Sequence, residues 1–270
     1  MRKKQLRGGN SSIMKNGVLY GASSSNCLRM ILLRDKGIQS EPDERSKKVF
    51  AIGHLNEDLF EKDHLQDIEG LEKEKEYVIG IHDNIDFVAH CDYSSPGLLF
   101  ELKSCTSENT YKKVFTNKKY KIENLIQLAT YMLMSETPQG FLCYTSYTDK
   151  IQYKALDKLE MDDILQLAEE SERETVMIPV TFNEEGEVLA NGKGSGVFVA
   201  DILEFQEVAI NVLDNDLIHA DRPESFELNT KFTACYNCPL SNLCNEWEEK
   251  RFSTDEFVDK ASSIFNKKRE

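Results

Sequence analysis

Asp86 and the triplet Glu101-Leu102-Lys103 are the residues of this chain whose types and spacing could do chemistry. Each lies in an apolar run that reads as a β-strand, Ile85-Asp86-Phe87-Val88-Ala89 and then Leu98-Leu99-Phe100-Glu101-Leu102-Lys103. Residues two apart on a strand share a face, so Glu101 and Lys103 project together. Charge set among apolar neighbours must find a partner. Two carboxylates can hold a hard divalent cation, which neutralises a phosphodiester and activates water. A lysine beside them would sit where water attacks or negative charge develops. The same spacing also fits a solvated strand face with cross-strand ion pairs. The pattern therefore needs company.

Some company follows directly. Gln127 and Tyr131 lie four apart, on one face of a helix expected over Ile122 to Met134. Leu125, Ile126, Leu128, Met132 and Leu133 make the rest of that helix apolar, so Gln127 needs hydrogen-bond partners. A site holding metal and phosphate would supply them, as would a loop facing a polar helix edge. Between strand and helix, Lys112, Lys113, Lys118, Lys119 and Lys121 cluster with Tyr111, Phe115 and Tyr120. Rings among lysines suit a surface that stacks bases and contacts phosphates of a single strand, or a solvated loop.

The elements that must position these residues can be read along the chain. Ser23-Ser24-Ser25-Asn26 resembles a helix N-cap before Cys27-Leu28-Arg29-Met30-Ile31-Leu32-Leu33. Ser46 to His64 reads as an amphipathic helix with Val49, Phe50, Ile52, Leu55, Leu59 and Phe60 as its apolar stripe. Strands are expected at Tyr77 to Ile81, Ile85 to Cys91 and Leu98 to Ser104, with turns at His82-Asp83-Asn84 and Ser94-Ser95-Pro96-Gly97. A further hairpin is expected from Gly140 to Ser146 and Lys150 to Leu156. Helices are expected over about Met161 to Arg173 and Ala200 to Leu217. Asn191-Gly192-Lys193-Gly194-Ser195-Gly196 lacks the context of a phosphate-binding loop and reads as a flexible turn. Helices interleaved with a strand meander indicate an α/β or α+β chain with a central sheet.

Length and composition set bounds. A chain of 270 residues, 40% apolar and 30% charged, can bury a sizeable core. No apolar run is long enough for a membrane helix, and Met1-Arg2-Lys3-Lys4 leads into Gly and Ser, so a cytoplasmic protein without a membrane partner is expected. The net charge of -14 argues against coating nucleic acid by bulk electrostatics, though not against a local basic channel. Seven cysteines in such a chain do not suggest a disulfide framework. Cys91, Cys105 and Cys143 sit in apolar contexts as ordinary buried thiols. Cys235, Cys238 and Cys244 cluster near the end. That end cluster is different from ordinary buried thiols.

Asp86, Glu101-Leu102-Lys103 and Gln127-x-x-x-Tyr131, in that order, resemble the RecB-like branch of the PD-(D/E)XK nucleases. Cys27, Cys235-x-x-Cys238-Pro239 and Cys244 resemble the members that carry a [4Fe–4S] cluster, including the CRISPR-associated exonucleases and their phage relatives. The resemblance runs from about Ser23 to Cys244. It implies a restriction-endonuclease-like core, a central mixed sheet flanked by helices, with its N- and C-terminal segments joined at the four-cysteine site. It divides the chain into a basic flexible tail (1–22), a nuclease domain (23–250, with the cysteine segment at 235–244) and a charged C-terminal tail (251–270). It implies Mg²⁺ or Mn²⁺ held by Asp86 and Glu101, with Lys103, Gln127 and Tyr131 completing the catalytic set. In that family a Gly-x-x-x-His or Gly-x-x-x-Glu element ahead of the Asp strand adds a metal ligand. Gly53-His54-Leu55-Asn56-Glu57 places Glu57 there and leaves His54, with the lysines 112, 113, 118 and 119, as possible substrate contacts. The implied activity is exonucleolytic cleavage of DNA ends or single strands in a bacterial cell or phage-infected host, with an integrase or recombination protein as a possible partner. A module that binds DNA or a partner without cutting is the alternative.

Overall fold

The computed structural model describes residues 17–20, 27–38, 42–82, 85–105, 108–147, 158–215 and 240–266. Two long strands, β2 (Glu72–His82) and β3 (Ile85–Ser95), pair antiparallel along nearly their whole length. That occupies one edge of β3. Its other edge is divided between two strands. β1 (Gly17–Tyr20) runs parallel to Ile85–Val88, and β4 (Leu98–Ser104) runs antiparallel to Tyr93–Ser95. The sheet therefore splits between Val88 and Tyr93. The β3–β4 turn is the one expected at Pro96-Gly97, and Gly97 takes the φ of 77° that such a turn asks of its second central residue.

A parallel pair requires a crossover. β4 and β5 (Gln139–Tyr147) are parallel and are linked by α3 (Glu108–Tyr111), a π-helical turn (Lys112–Thr116) and α4 (Ile122–Met134). Beyond β5 the sheet continues antiparallel through β6 (Arg173–Phe182), β7 (Glu187–Ala190) and β8 (Lys193–Phe198). The remaining helices are α1 (Leu28–Asp35), α2 (Glu44–Phe60), α5 (Met161–Glu170), α6 (Val199–Asp214), α7 (Ser241–Lys250) and α8 (Thr254–Asn266). Asp43 caps α2, its carboxylate accepting from the Ser46 amide at 2.7 Å. The α/β reading of the sequence holds: a mixed sheet with helices on both faces.

Alternation along β4 and β5 sorts the core. Leu99, Leu142 and Tyr144 face the main core with Leu125, Leu128 and Tyr131 of α4, and α1, α6, α7 and α8 add to it. Phe100, Leu102 and Cys143 face a smaller cluster with Phe60 and Leu65. Ile52, Tyr147, Ile164 and Ala168 bind α2 to α5 beside it.

Several expectations change. Gly17–Tyr20, within the expected basic tail, is β1. β5 takes β6, beyond α5, as its antiparallel partner, and the expected hairpin partner, Lys150 to Leu156, lies outside the described residues. The glycine-rich segment 191–196 is a tight turn at Asn191-Gly192 followed by β8, so most of it is strand. Residues 254–266 are a packed helix and not a charged tail, with Phe257 and Ala261 fully buried. Phe50, placed on the buried stripe of α2, is 57% exposed. The main thiol expectation stands: Cys91, Cys105 and Cys143 are buried.

Candidate active site

Glu101 shares the parity of Leu99, so β4 turns its carboxylate toward α4, into the main core. It is 1% exposed. Lys103 Nζ donates to its Oε1 at 2.5 Å, and Gln127 Nε2 donates to the same oxygen at 2.8 Å. Gln127 Nε2 also lies 2.8 Å from the Tyr131 hydroxyl, which fixes the amide between the two. Four of the expected residues thus meet in one hydrogen-bonded group. The other carboxylate oxygen, Oε2, is buried and has no hydrogen-bond partner among the described residues. An anionic acceptor left so is costly unless a cation completes it.

Asp86 is not part of this group. It stands near the start of β3, opposite Gly80 of β2 and Val18 of β1. Continuing the β3–β4 ladder from Tyr93↔Phe100 by one pair sets Asp92, not Asp86, opposite Glu101. Six residues along a strand carry Asp86 about 20 Å away. Asp92 sits at the point where β3 and β4 part, and its Oδ2 accepts from the Leu102 amide at 2.7 Å. Burial, and next the charge of Glu101, push its carboxyl well above the usual range, against the pull of Lys103. Glu101 is likewise raised by burial, with Lys103 opposing. Burial works to lower the Lys103 amine, but Glu101 and Asp92 hold it above its ordinary value, so it stays a cation. The sequence hid Asp92 because it follows Cys91 and precedes Tyr93-Ser94-Ser95, which read as a strand giving way to a turn. Counting back from the Pro96-Gly97 turn would have found it.

Helix α2 supplies the opposite wall. Val49, Phe50, Gly53, His54 and Glu57 line a cleft of ≈ 390 Å³ with Leu102, Lys103 and Ser104 of β4. The wall is fixed by buried polar contacts. Asn56, fully buried, donates from Nδ2 to Ser104 Oγ at 2.8 Å and accepts from the Tyr147 hydroxyl. The Tyr93 hydroxyl donates to the Glu57 carbonyl at 2.5 Å. α2 then ends in a π-helical turn, Glu61–Leu65. Glu57 adds its charge to those acting on both Asp92 and Glu101, and His54 Nδ1 lies 3.6 Å from Glu57 Oε2. The cleft thus gathers Glu57, His54 and Lys103, and leaves Asp86 out.

Lys112, Lys113, Lys118 and Lys119 form an exposed strip after β4. The rings among them are structural: Tyr111 stacks on Phe115 at 5.0 Å and its hydroxyl donates to Glu174 at 3.0 Å. The lysines are outside the lining of the cleft. Cys27 sits at the N-terminus of α1 and Cys244 on α7, both half-buried, while Cys235 and Cys238 lie outside the described residues. The Arg29 guanidinium, two residues past Cys27, is 4.8 Å from the ring centre of Trp247, one turn past Cys244. The start of α1 therefore lies against α7. Among the described residues no helix is long and apolar enough to cross a membrane.

No protein-family model matches the chain, and no curated protein matches its sequence. Among solved structures the chain is similar to SSO0001, at 13% identity and a TM-score of 0.46 over 87% of this chain and 88% of that one. It is similar to an alkaline exonuclease from Laribacter hongkongensis, also solved in complex with dAMP, at 13% identity and a TM-score of 0.44 over 75% of this chain and 90% of that one. A third is a phage-related exonuclease from Haemophilus somnus, at 11% identity and a TM-score of 0.40 over 71% of this chain and 79% of that one. At such identities, what the site does must be read from its own residues.

Proposed function

We propose that this chain is a metal-dependent deoxyribonuclease that hydrolyses phosphodiester bonds at DNA ends or in single strands. The observation that carries this reading is the buried Glu101, whose Oε2 lacks a hydrogen-bond partner among the described residues, beside a second raised carboxyl, Asp92, and a lysine. Two clustered acidic oxygens and one carboxylate on the facing helix are the donor set of a hard divalent cation, Mg²⁺ or Mn²⁺. Asp92 and Glu101 would hold it, with Glu57 from α2. Such an ion supplies charge neutralisation at the phosphodiester and a lowered pKa for bound water.

The chain's own residues do the rest. Lys103 stays charged next to Glu101 and lines the cleft, where it can orient a water or meet negative charge on a phosphate oxygen. Gln127, braced by Tyr131, holds the Glu101 carboxylate in one orientation. Gly53 leaves open space where a Cβ would be, and the Phe50 ring stands at the edge of the cleft. An unpaired base can stack there, a contact worth about 1–3 kcal/mol in single-strand binding. The exposed lysine strip offers further phosphate contacts. The four cysteines are proposed to hold a structural [4Fe–4S] cluster, with zinc as the alternative.

Cleavage of 5′- and 3′-labelled single strands with Mg²⁺ or Mn²⁺ tests the reading. Asp92→Asn and Glu101→Gln are expected to abolish cleavage, Lys103→Ala to slow it by about 10²–10³-fold, and Asp86→Asn to leave it near wild type. Binding of labelled strands without cleavage by the wild-type chain would favour the non-cutting module. Loss of activity in Asp86→Asn with activity retained in Asp92→Asn would restore the sequence-based assignment.

A further inference from the structure

Glu57 faces two ways. On one side its charge adds to Asp92 and Glu101, and on the other its Oε2 lies 3.6 Å from His54 Nδ1. A third group joins on that outer side. Ligand atoms of His54, Glu57 and Glu74 all lie within 4.8 Å of one another. Glu74 belongs to β2, between Lys73, which pairs with Tyr93, and Lys75, which pairs with Cys91, so it neighbours Asp92 across the ladder.

Two features of Glu74 are unusual for an exposed strand carboxylate. Its backbone has φ 51°, the left-handed region that favours glycine, in the middle of a strand. The lysines on either side do not neutralise it: Lys73 Nζ pairs with Asp58 and approaches Glu61 at 3.9 Å, and Lys75 Nζ pairs with Glu72 at 2.7 Å. Among the described residues Glu74 has no cationic partner of its own, although its carboxylate stands close to that of Glu57. Like charges so placed repel unless a cation lies between them. Glu57 belongs to this group and also adds its charge to those acting on Asp92 and on Glu101, whose Oε2 has no hydrogen-bond partner among the described residues.

We propose that His54, Glu57 and Glu74 form a second divalent-cation position, outside the Asp92–Glu101 pair and sharing Glu57 with it. One imidazole among two carboxylates favours Mn²⁺ over Mg²⁺ there, because nitrogen ligands suit transition ions better than magnesium. The exposed side chains of His54 and Glu74 can close on the ion by rotation alone. Its place is at the mouth of the cleft, where a strand's phosphates would pass. The shared role of Glu57 rests on the metal-binding reading given above; the outer position does not.

Titration of the metal-free protein with Mn²⁺, counting free ion by electron paramagnetic resonance, tests it. The wild-type chain is expected to bind two ions. His54→Gln and Glu74→Gln are each expected to weaken one of the two by about ten- to a hundredfold, and the double variant Asp92→Asn/Glu101→Gln to lose the other. Glu74→Gly guards against a folding artefact: glycine relieves the left-handed backbone, so this variant is expected to melt higher than wild type without metal and yet lose the outer ion. If Glu74 and His54 variants titrate like wild type, the outer site is overturned. If the Asp92/Glu101 variant alone titrates like wild type, the outer site stands and the inner reading fails.

Discussion

Asp92 and Glu101 hold two carboxyl groups beside one another where water is scarce, and each makes ionisation of the other more costly. Their folded pKa values are raised, so their contribution to stability is fully present below the ordinary carboxylate range and is lost as pH rises through the folded values. At neutral pH the metal-free site therefore works against the fold. Asp92→Asn keeps an oxygen for the Leu102 amide and removes the repulsion. It is expected to raise the melting temperature of the chelated protein, by about 2–4 °C for each kcal/mol relieved. Mn²⁺ is expected to stabilise the wild type, and Asp92→Asn is expected to weaken that effect. Thermal scans with chelator and with Mn²⁺ check both, and a lower melting point in chelator would count against the repulsion. The Glu101, Lys103, Gln127 and Tyr131 group was legible because strand and helix periodicity decide which of those residues face together. Asp86 was grouped with them because apolar neighbours mark a strand but say nothing about which rung of a ladder a residue occupies. Register is set by the turn, and the turn points to Asp92.

Helix α2 reaches the sheet through polar as well as apolar contacts. Tyr147 of β5, Asn56 of α2 and Ser104 of β4 form one hydrogen-bonded chain centred on the buried Asn56, with Asn56 next to Glu57 and Ser104 next to Lys103. Tyr147→Phe strips the donor from a buried amide oxygen, which costs about 1–3 kcal/mol. Urea unfolding is expected to show a loss of that size. A change much below it would mean that water or another donor replaces the hydroxyl. At this scale the sequence was uneven. α4 begins and ends where its apolar pattern does, at Ile122 and Met134. β8 was missed because Lys193-Gly194-Ser195-Gly196 carries few strand-forming side chains, and pairing with β7 settles its conformation. α8 was missed because it lies between charged runs at the end of the chain, although Phe257, Ala261 and Phe265 recur at helical spacing on one buried face.

Across the described residues, α1 and α7 are drawn together on one side of the sheet. Trp247, buried on α7, lies between Arg29 of α1 at 4.8 Å and Arg251 at 4.4 Å, and its Nε1 donates to the Phe252 carbonyl at 2.9 Å. This places Cys27 and Cys244 on neighbouring helices, as a shared cluster would require. Trp247 is the one tryptophan in the chain, so its emission reports on this junction alone. An iron–sulfur cluster absorbs broadly in the near ultraviolet and violet and would quench a nearby indole, whereas zinc is colourless and would not. Anaerobically purified wild-type protein is therefore expected to be brown with weak tryptophan emission. Cys244→Ser is expected to be colourless, brighter and less stable, because it frees the late segment from the start of α1. Arg29→Ala gives the control: it removes a cation–π contact worth about 0.5–2 kcal/mol and should lower stability while leaving colour and metal content intact. Colourless wild-type protein holding one zinc ion would assign the cysteines to zinc. Protein with neither iron nor zinc would leave the junction to Trp247 and its two arginines.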